Sequence, residues 1–284
     1  MANPPFSLAE LMGGDLPRIK VVDVGALPLP DQAEKYARLV ELGLCQVVGF
    51  EPTGDACREL NERYGPPHQF LPYFVGDGTP GEFRLCNYPM TSSLYEPNYK
   101  LLDQFQMLSE LTQVVERSQV ETTRLDDIPE VAGTDYLKMD VQGAEHDVLS
   151  GAAETLQSAV AVHTEVEFVP MYKDQPLFAD VDQALRNMGF VLHRFDSISG
   201  RTFQPFITNN DPCQMLSQMI WANAIYVKDF TALSSLSEEQ LVKMAIILHE
   251  VYGSYDLAHV CLVELDGRRQ AATAQTYFGR LTAA

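Results

Sequence analysis

The sequence predicts a doubly wound, mostly parallel α/β sheet, and three short segments carry that expectation. Val21-Val22-Asp23-Val24-Gly25-Ala26 and Val47-Val48-Gly49-Phe50-Glu51-Pro52 each read as a buried strand that delivers an acid into a turn. Leu137-Lys138-Met139-Asp140-Val141-Gln142-Gly143-Ala144-Glu145 has the same grammar and runs on into a helix. Open sheets of this class bind ligands outside the carboxyl ends of their strands. Three acids on that rim suit a small polar ligand rich in hydroxyl and amino donors.

From Ile19 onward strand-like runs alternate with helix-like segments, as in βαβ units. The first expected strand is 19–24, with a helix over 32–42. Strand two covers 46–50 and its helix 53–63, where Asp55 and Glu59 sit in the first turns that the helix dipole favours for acids. Strand three is 70–75. The turn Gly76-Asp77-Gly78-Thr79-Pro80-Gly81 then leads into 82–86, expected as a hairpin partner. Residues 90–119 are ambiguous: Thr91-Ser92-Ser93 opens a polar loop, and 99–111 fits a helix or a flexible cover. Strand four is 136–140 and its helix 144–153. Strand five is 159–168, followed by a helix over 178–188 that Gly189 closes. Segments 190–195 and 221–227 complete the sheet as an antiparallel pair around a loop of about 25 residues, a length that is usually functional or poorly ordered.

After Lys228 the pattern changes. Ser237-Glu238-Glu239-Gln240 is a capping box, with Leu241, Met244, Ala245 and Leu248 behind it at helical spacing. Residues 256–265 read as a second apolar helix. The expected organisation is a ligand-binding domain over 1–228 and a helical appendage over 229–284, packed on that domain or on a partner. No internal repeat is long enough for a solenoid.

The 46% hydrophobic content of these 284 residues is enough for a substantial core. With 39 acidic against 20 basic residues the formal charge is -19. A field of that sign repels phosphate backbones and anionic lipid, so neither nucleic acid nor a membrane surface is an expected partner. Cys45, Cys57, Cys86, Cys213 and Cys261 are scattered and odd in number, which fits a reducing compartment better than a disulfide framework. Residues 1–11 lack a basic and then apolar leader, and no stretch reaches the roughly 20 apolar residues that span a bilayer. A soluble, cytoplasmic protein is expected.

The rim acids differ in what they are suited for. A pyrophosphate site needs G-x-G-x-x-G so that the backbone can approach closely. The first turn here, Gly25-Ala26-Leu27-Pro28-Leu29-Pro30, has one glycine and two prolines, which disfavours NAD. A nucleoside without phosphates still needs one glycine and an acid on its ribose. S-adenosylmethionine fits that description: Glu51, held beside Pro52, is placed for the ribose diol, and Gly25 and Ala26 for the amino and carboxylate groups. Asp23 either contacts the ligand or caps its turn. Asp77 either contacts the adenine or shapes its own Asp-Gly turn.

Six motifs in one order resemble the FkbM-type methyltransferases. They are Asp-Val-Gly-Ala (23–26), Gly-Phe-Glu-Pro (49–52), Ser-Ser-Leu-Tyr-Glu-Pro (92–97), Arg-Leu-Asp-Asp-Ile (124–128), Leu-Lys-Met-Asp-Val-Gln-Gly-Ala-Glu (137–145) and His-Thr-Glu-Val-Glu-Phe (163–168). The resemblance covers 20–228 and implies a class I, Rossmann-like methyltransferase fold. It also implies S-adenosylmethionine as donor and a hydroxyl acceptor on a small molecule or saccharide. Two positions depart from the family pattern. Leu27 and Leu29 stand where relatives often have Asn and a second Gly, so the methionine end of the cofactor is expected to be held either differently or less tightly. Asn223 stands where relatives commonly have Asp.

Transfer of a methyl group to a hydroxyl asks for alignment and for a proton acceptor. Alignment falls to Asp140, Gln142 and the Ser92 loop, and the base role to Glu165 or His163, which share one face of strand five. Of these His163 has the ordinary pKa best suited to a base near neutrality. Gln142 and Glu145 either position the acceptor or begin a helix. A Mg²⁺ ion shared by Asp140 and Glu165 is a variant that two carboxylates support poorly, so metal-free transfer is the expectation. The alternative is a protein that binds the cofactor or a glycan without turnover, favoured only by the depleted first turn.

Overall fold

The computed structural model describes residues 4–14, 16–27 and 33–283. In chain order its strands are β1 (Ile19–Val24), β2 (Cys45–Phe50), β3 (Gln69–Leu71), β4 (Phe74–Val75), β5 (Gly81–Cys86) and β6 (Val114–Val120). They continue as β7 (Thr122–Thr123), β8 (Tyr136–Met139), β9 (Ala161–Glu167), β10 (Phe190–Ser199) and β11 (Trp221–Lys228). The helices are α1 (Leu8–Met12), α2 (Ala37–Glu41), α3 (Gly54–Tyr64), α4 (Tyr99–Leu102) and α5 (Leu108–Leu111). After these come α6 (Glu145–Ser150), α7 (Phe178–Asn187), α8 (Glu238–Ile246), α9 (Tyr255–Arg269) and α10 (Thr273–Ala283).

Seven strands form the main sheet in the order β3-β2-β1-β8-β9-β11-β10. Neighbours from β3 to β9 pair in parallel. β11 runs antiparallel to both β9 and β10. This is the class I methyltransferase arrangement, an α/β sheet with one reversed strand. The chain winds outward from β1 to β3 and later resumes at β8, so the switch point lies between β1 and β8. Ligands of such sheets collect there.

Side-chain alternation sends each strand into two cores. Ile19 and Val21 of β1 join one, while Val22 and Val24 join the other. The first core contains α3 through Cys57 and Leu60, and the chain beyond Lys228 through Leu241, Met244, Ile247 and Leu248. The second contains α6 and α7 through Val148, Leu149, Val181 and Leu185. α8 begins with the expected reciprocal cap: the Gln240 amide donates to Ser237 Oγ at 3.1 Å and the Ser237 amide to Gln240 Oε1 at 2.9 Å. Lys243, inside that helix, is matched by Asp135 at 2.9 Å and Glu239 at 2.6 Å. Helices of 229–284 therefore build one wall of the same core as the sheet.

Three sequence expectations change. Segment 70–75 divides into β3 and β4 around Pro72, which has no amide to continue a ladder. β5 is no hairpin partner of strand three; it pairs antiparallel with β6, 114–120, and both strands of that ladder are largely half-exposed. β6 carries little apolar alternation, so its pattern does not announce a strand. Segment 99–111 forms the two short helices α4 and α5 instead of one. Of the helix expected over 32–42, α2 covers 37–41, and residues 28–32 lie outside the described part. Pro28, Leu29 and Pro30 of the first turn lie there too.

Candidate functional site

A cavity of about 330 Å³ opens at the carboxyl ends of β1, β2 and β8, near the lower end of the size range of small-ligand pockets. Its β2 side is lined by Phe50, Glu51, Pro52 and Thr53, with Tyr73, Phe74 and Phe83 beside them. Phe74 and Phe83 lie 5.1 Å apart between ring centroids, and Phe50 and Tyr73 lie 6.3 Å apart. Ser92 and Ser93 line it from the 91–93 loop. Its other side is made by Glu34, Lys138, His163 and Asn223, with Asp140 and Gln142 also on the wall.

That second side comes from one register row. Asp23 pairs with Lys138 across β1 and β8, and Lys138 with His163 across β8 and β9. All three side chains point to the face that is apolar nearer the amino ends, at Val21, Tyr136 and Ala161. The same face thus turns from apolar to ionisable as the strands reach the rim. Asp23 is fully buried. Its Oδ2 accepts from the Tyr36 hydroxyl at 2.7 Å, and its Oδ1 lies 2.9 Å from Lys138 Nζ. Asp23 therefore does not line the cavity; it is the counter-charge under Lys138. Three carboxylates, Asp23, Glu34 and Asp140, raise the Lys138 pKa above its ordinary value although burial opposes them.

Glu51 is placed as the sequence suggests. Its Oε1 accepts from the Thr53 amide at 2.7 Å, and among the described residues no protein donor reaches the other oxygen. Burial raises its pKa, and the Thr53 hydrogen bond opposes that. Gly25 has φ +84°, and a Cβ there would collide with the carbonyl oxygen of Asp140. The glycine therefore lets the β1 and β8 turns pack against each other, as well as lining the cavity. Ala26 is buried behind it, with its amide on the Phe50 carbonyl. Asp77 lies away from the cavity, where its Oδ1 accepts from the amide and hydroxyl of Thr79.

The turn after β8 is fastened from beneath. Glu145 accepts from the Val141 and Gly143 amides at 2.8 and 3.0 Å, and Ser93 Oγ donates to the Gln142 carbonyl at 2.6 Å. Gln142 itself adopts φ +54°, a left-handed conformation that costs a non-glycine residue energy. The return is its side chain: Nε2 donates to Asp140 Oδ1 at 2.8 Å and to Glu165 Oε1 at 3.0 Å. The Gln142 amide thus stands where an ion shared by Asp140 and Glu165 would sit. Among the described residues no group of three or more His, Cys, Asp or Glu side chains is arranged to hold a metal ion.

Both base candidates change character. Glu165 is buried behind Gln142, and burial, with Asp140, Glu167 and Glu145 nearby, raises its pKa well above the carboxylate range. That shift favours its protonated form. His163 lines the cavity, yet burial pushes its pKa down to about 4. Its Nε2 lies 3.0 Å from Asn223 Oδ1, an acceptor, and its Nδ1 lies 3.1 Å from the Tyr252 hydroxyl. This imidazole is neutral and engaged at both nitrogens, so an ordinary pKa near neutrality is no reason to choose it. Glu145, pushed up to about 7 chiefly by burial, fastens the turn and does not line the cavity.

Sequence reasoning left Glu34 and Lys138 without a role. Glu34 lies in a segment with no motif. Lys138 did leave a signal, as a cation in the middle of an otherwise apolar strand.

The family model described as the methyltransferase FkbM domain matches residues 23–192. The 2-O-methyltransferase NoeI of Sinorhizobium fredii (strain NBRC 101917 / NGR234) is 46% identical over 67 residues, which are 22% of this chain and 28% of that protein. The chain thus spans little more than a quarter of the length of that relative. A Thermoplasma acidophilum structure given as a candidate methyltransferase aligns with a TM-score of 0.39 at 10% identity, over 76% of this chain and 70% of that one. The N-terminal domain of EvdMO1, solved with SAH and D-fucose, aligns with a TM-score of 0.36 at 8% identity, over 74% and 76%.

Proposed function

We propose that this chain, which belongs to the FkbM methyltransferase family, moves a methyl group from S-adenosylmethionine to a hydroxyl oxygen of a small-molecule or saccharide acceptor. The observation that carries this reading is the cavity at the sheet's switch point, with Glu51 on one wall and the Asp140–Gln142 pair on the other. The donor set fits the cofactor the family implies. Glu51 has an oxygen left over for the ribose diol, and Tyr73, Phe74 and Phe83 offer aromatic surface for the adenine. S-adenosylmethionine, when bound, supplies a methyl group already activated on a sulfonium.

The residues of this chain then have alignment and proton handling left to do. Asp140 faces the cavity with its carboxylate steadied by Gln142, and it accepts the hydrogen bond of the acceptor hydroxyl and then its proton as the oxygen takes the methyl group. Gln142 is steadied in turn by Glu165, whose Oε1 accepts from its Nε2. Alignment of this kind supplies about 7–11 kcal/mol in favourable cases, more than the 10²–10⁴-fold typical of a general base. The match to a 2-O-methyltransferase supports oxygen as the acceptor atom.

The test is transfer of labelled methyl from S-adenosylmethionine to a panel of mono- and oligosaccharides, polyols and phenols, with products read by mass spectrometry. A methyl ether in at least one hydroxylated acceptor is the expected result. Label found only on nitrogen or carbon acceptors would overturn the oxygen reading.

A further inference from the structure

Glu34 differs from the other carboxylates on and behind the cavity wall. Asp23, Glu51, Asp140, Glu145 and Glu165 each accept at least one hydrogen bond from the protein. The Glu34 carboxylate accepts none among the described residues, although only 20% of its side chain is exposed. Its nearest cation, Lys138 Nζ, is 4.0 Å from Oε2, the limit of an ion pair. A partly buried carboxylate without a protein donor is suited to a donor that arrives with a ligand.

We propose that Lys138 and Glu34 form the subsite for the amino-acid end of the cofactor, the Lys138 ammonium taking its carboxylate and the Glu34 carboxylate its α-ammonium. This rests on the cofactor reading above. Two opposite charges set apart without a hydrogen bond between them match a zwitterion laid against them in the reverse sense. In the register Gly49 of β2 and Lys138 of β8 flank Asp23, so strand spacing sets Lys138 about 10 Å from the strand that delivers Glu51. A nucleoside held at Glu51 extends its amino-acid arm toward Lys138. Leu27, on the cavity wall, offers no polar side chain there.

Lys138 faces both Asp23, at 2.9 Å, and Glu34, at 4.0 Å, so the three groups carry one surplus negative charge when Glu34 is ionised. Burial, then Asp23 and Asp140, push its pKa up to about 7, against Lys138 and Arg63. The other titratable groups facing it are Tyr36 and Tyr64. Lys35, which also lines the cavity, is paired with Asp196 at 2.7 Å. An incoming ammonium favours the ionised form. Binding of the amino-acid end should therefore weaken as pH falls from 8 to 6 and Glu34 takes up its proton.

Isothermal titration of the whole chain with two probes tests this: S-adenosylhomocysteine, and 5′-methylthioadenosine, which lacks the amino-acid end. Glu34→Gln should weaken S-adenosylhomocysteine about 10–100-fold, the range for a hydrogen bond to a charged group, and leave methylthioadenosine unchanged. The variant should also lose the pH dependence between 8 and 6. Decarboxylated S-adenosylhomocysteine probes Lys138 without stripping Asp23 of its buried counter-charge, and should bind the native chain more weakly than the parent compound. Glu51→Gln, acting on the nucleoside, should weaken both first probes alike. Equal binding of S-adenosylhomocysteine by Glu34→Gln, or equal loss of both probes, overturns the subsite. A native chain that binds neither probe overturns the cofactor reading itself, and is told apart because no substitution is involved.

Discussion

Burial decides which rim groups carry charge. Lys138 keeps its proton because carboxylates surround it, while His163, 2% exposed and without a carboxylate partner of its own, gives its proton up. Its folded pKa of about 4 lies below the ordinary 6.5. Between those values the unfolded chain binds the extra proton, so the native state gains stability as pH rises from 4 to 6.5 and keeps it above. At about 1.36 kcal/mol per pKa unit this amounts to roughly 3–4 kcal/mol. Urea unfolding of His163→Gln should lack that gain, so that the difference from the native chain grows up to pH 6.5 and then levels. Parallel pH profiles would contradict a neutral His163. Glu145 has the opposite sign: its raised pKa means stability present below the ordinary carboxylate value and lost as pH climbs to about 7. His163 and Glu145 therefore pull the pH profile in opposite directions over the same range.

At the scale of elements, the site depends on two turns meeting. The β1 turn and the β8 turn touch at Gly25 and the Asp140 carbonyl, and the Asp140 amide donates to the Val24 carbonyl at 3.0 Å. Gly25→Ala meets two obstacles, a positive φ and that carbonyl. Gly133→Ala meets only the first: its φ is +76°, with nothing within 4 Å of the new methyl. Both should lose about 1 kcal/mol from backbone conformation, and Gly25→Ala a further 1–3 kcal/mol from overpacking. Thermal melts of the two variants read the difference, and equal losses would mean that the turns do not touch as described. S-adenosylhomocysteine affinity should fall only in Gly25→Ala, because only that substitution displaces Asp140.

For the whole molecule, the chain beyond Lys228 is both scaffold and neighbour to the site. Leu241, Met244, Ile247 and Leu248 are fully buried in one core with Ile19, Val21 and Tyr136. Tyr252 stacks on His163 at 6.1 Å and bonds to Tyr136 at 2.6 Å. Each large apolar side chain removed from such a core costs about 2–5 kcal/mol, against a total stability of about 5–15 kcal/mol. A chain ended at Lys228 should therefore show no cooperative unfolding transition by circular dichroism. A cooperative melt close to that of the full chain would make 229–284 dispensable to the fold. Among the described residues no helix is long and apolar enough to cross a membrane.

Much of this could be read along the chain. Short apolar runs bounded by turn residues placed β1, β2, β8, β9 and the β10–β11 pair, and the Ser237 box placed α8, because these signals depend on residues close in sequence. The acids at 51 and 140 were found for the same reason: a carboxylate ending a buried strand is a local pattern. What escaped depends on neighbours far apart in sequence. Whether Asp23 serves a ligand or Lys138 is settled by a register between strands more than a hundred residues apart. Whether His163 is charged is settled by its burial under neighbours far away in sequence, Tyr252 stacked on it among them. The sequence by itself determined the sheet, its rim and the acids on it. Only the tertiary structure decided which of those acids reach the cavity and which hold a proton, because desolvation and pairing belong to the packed neighbourhood and not to the residue.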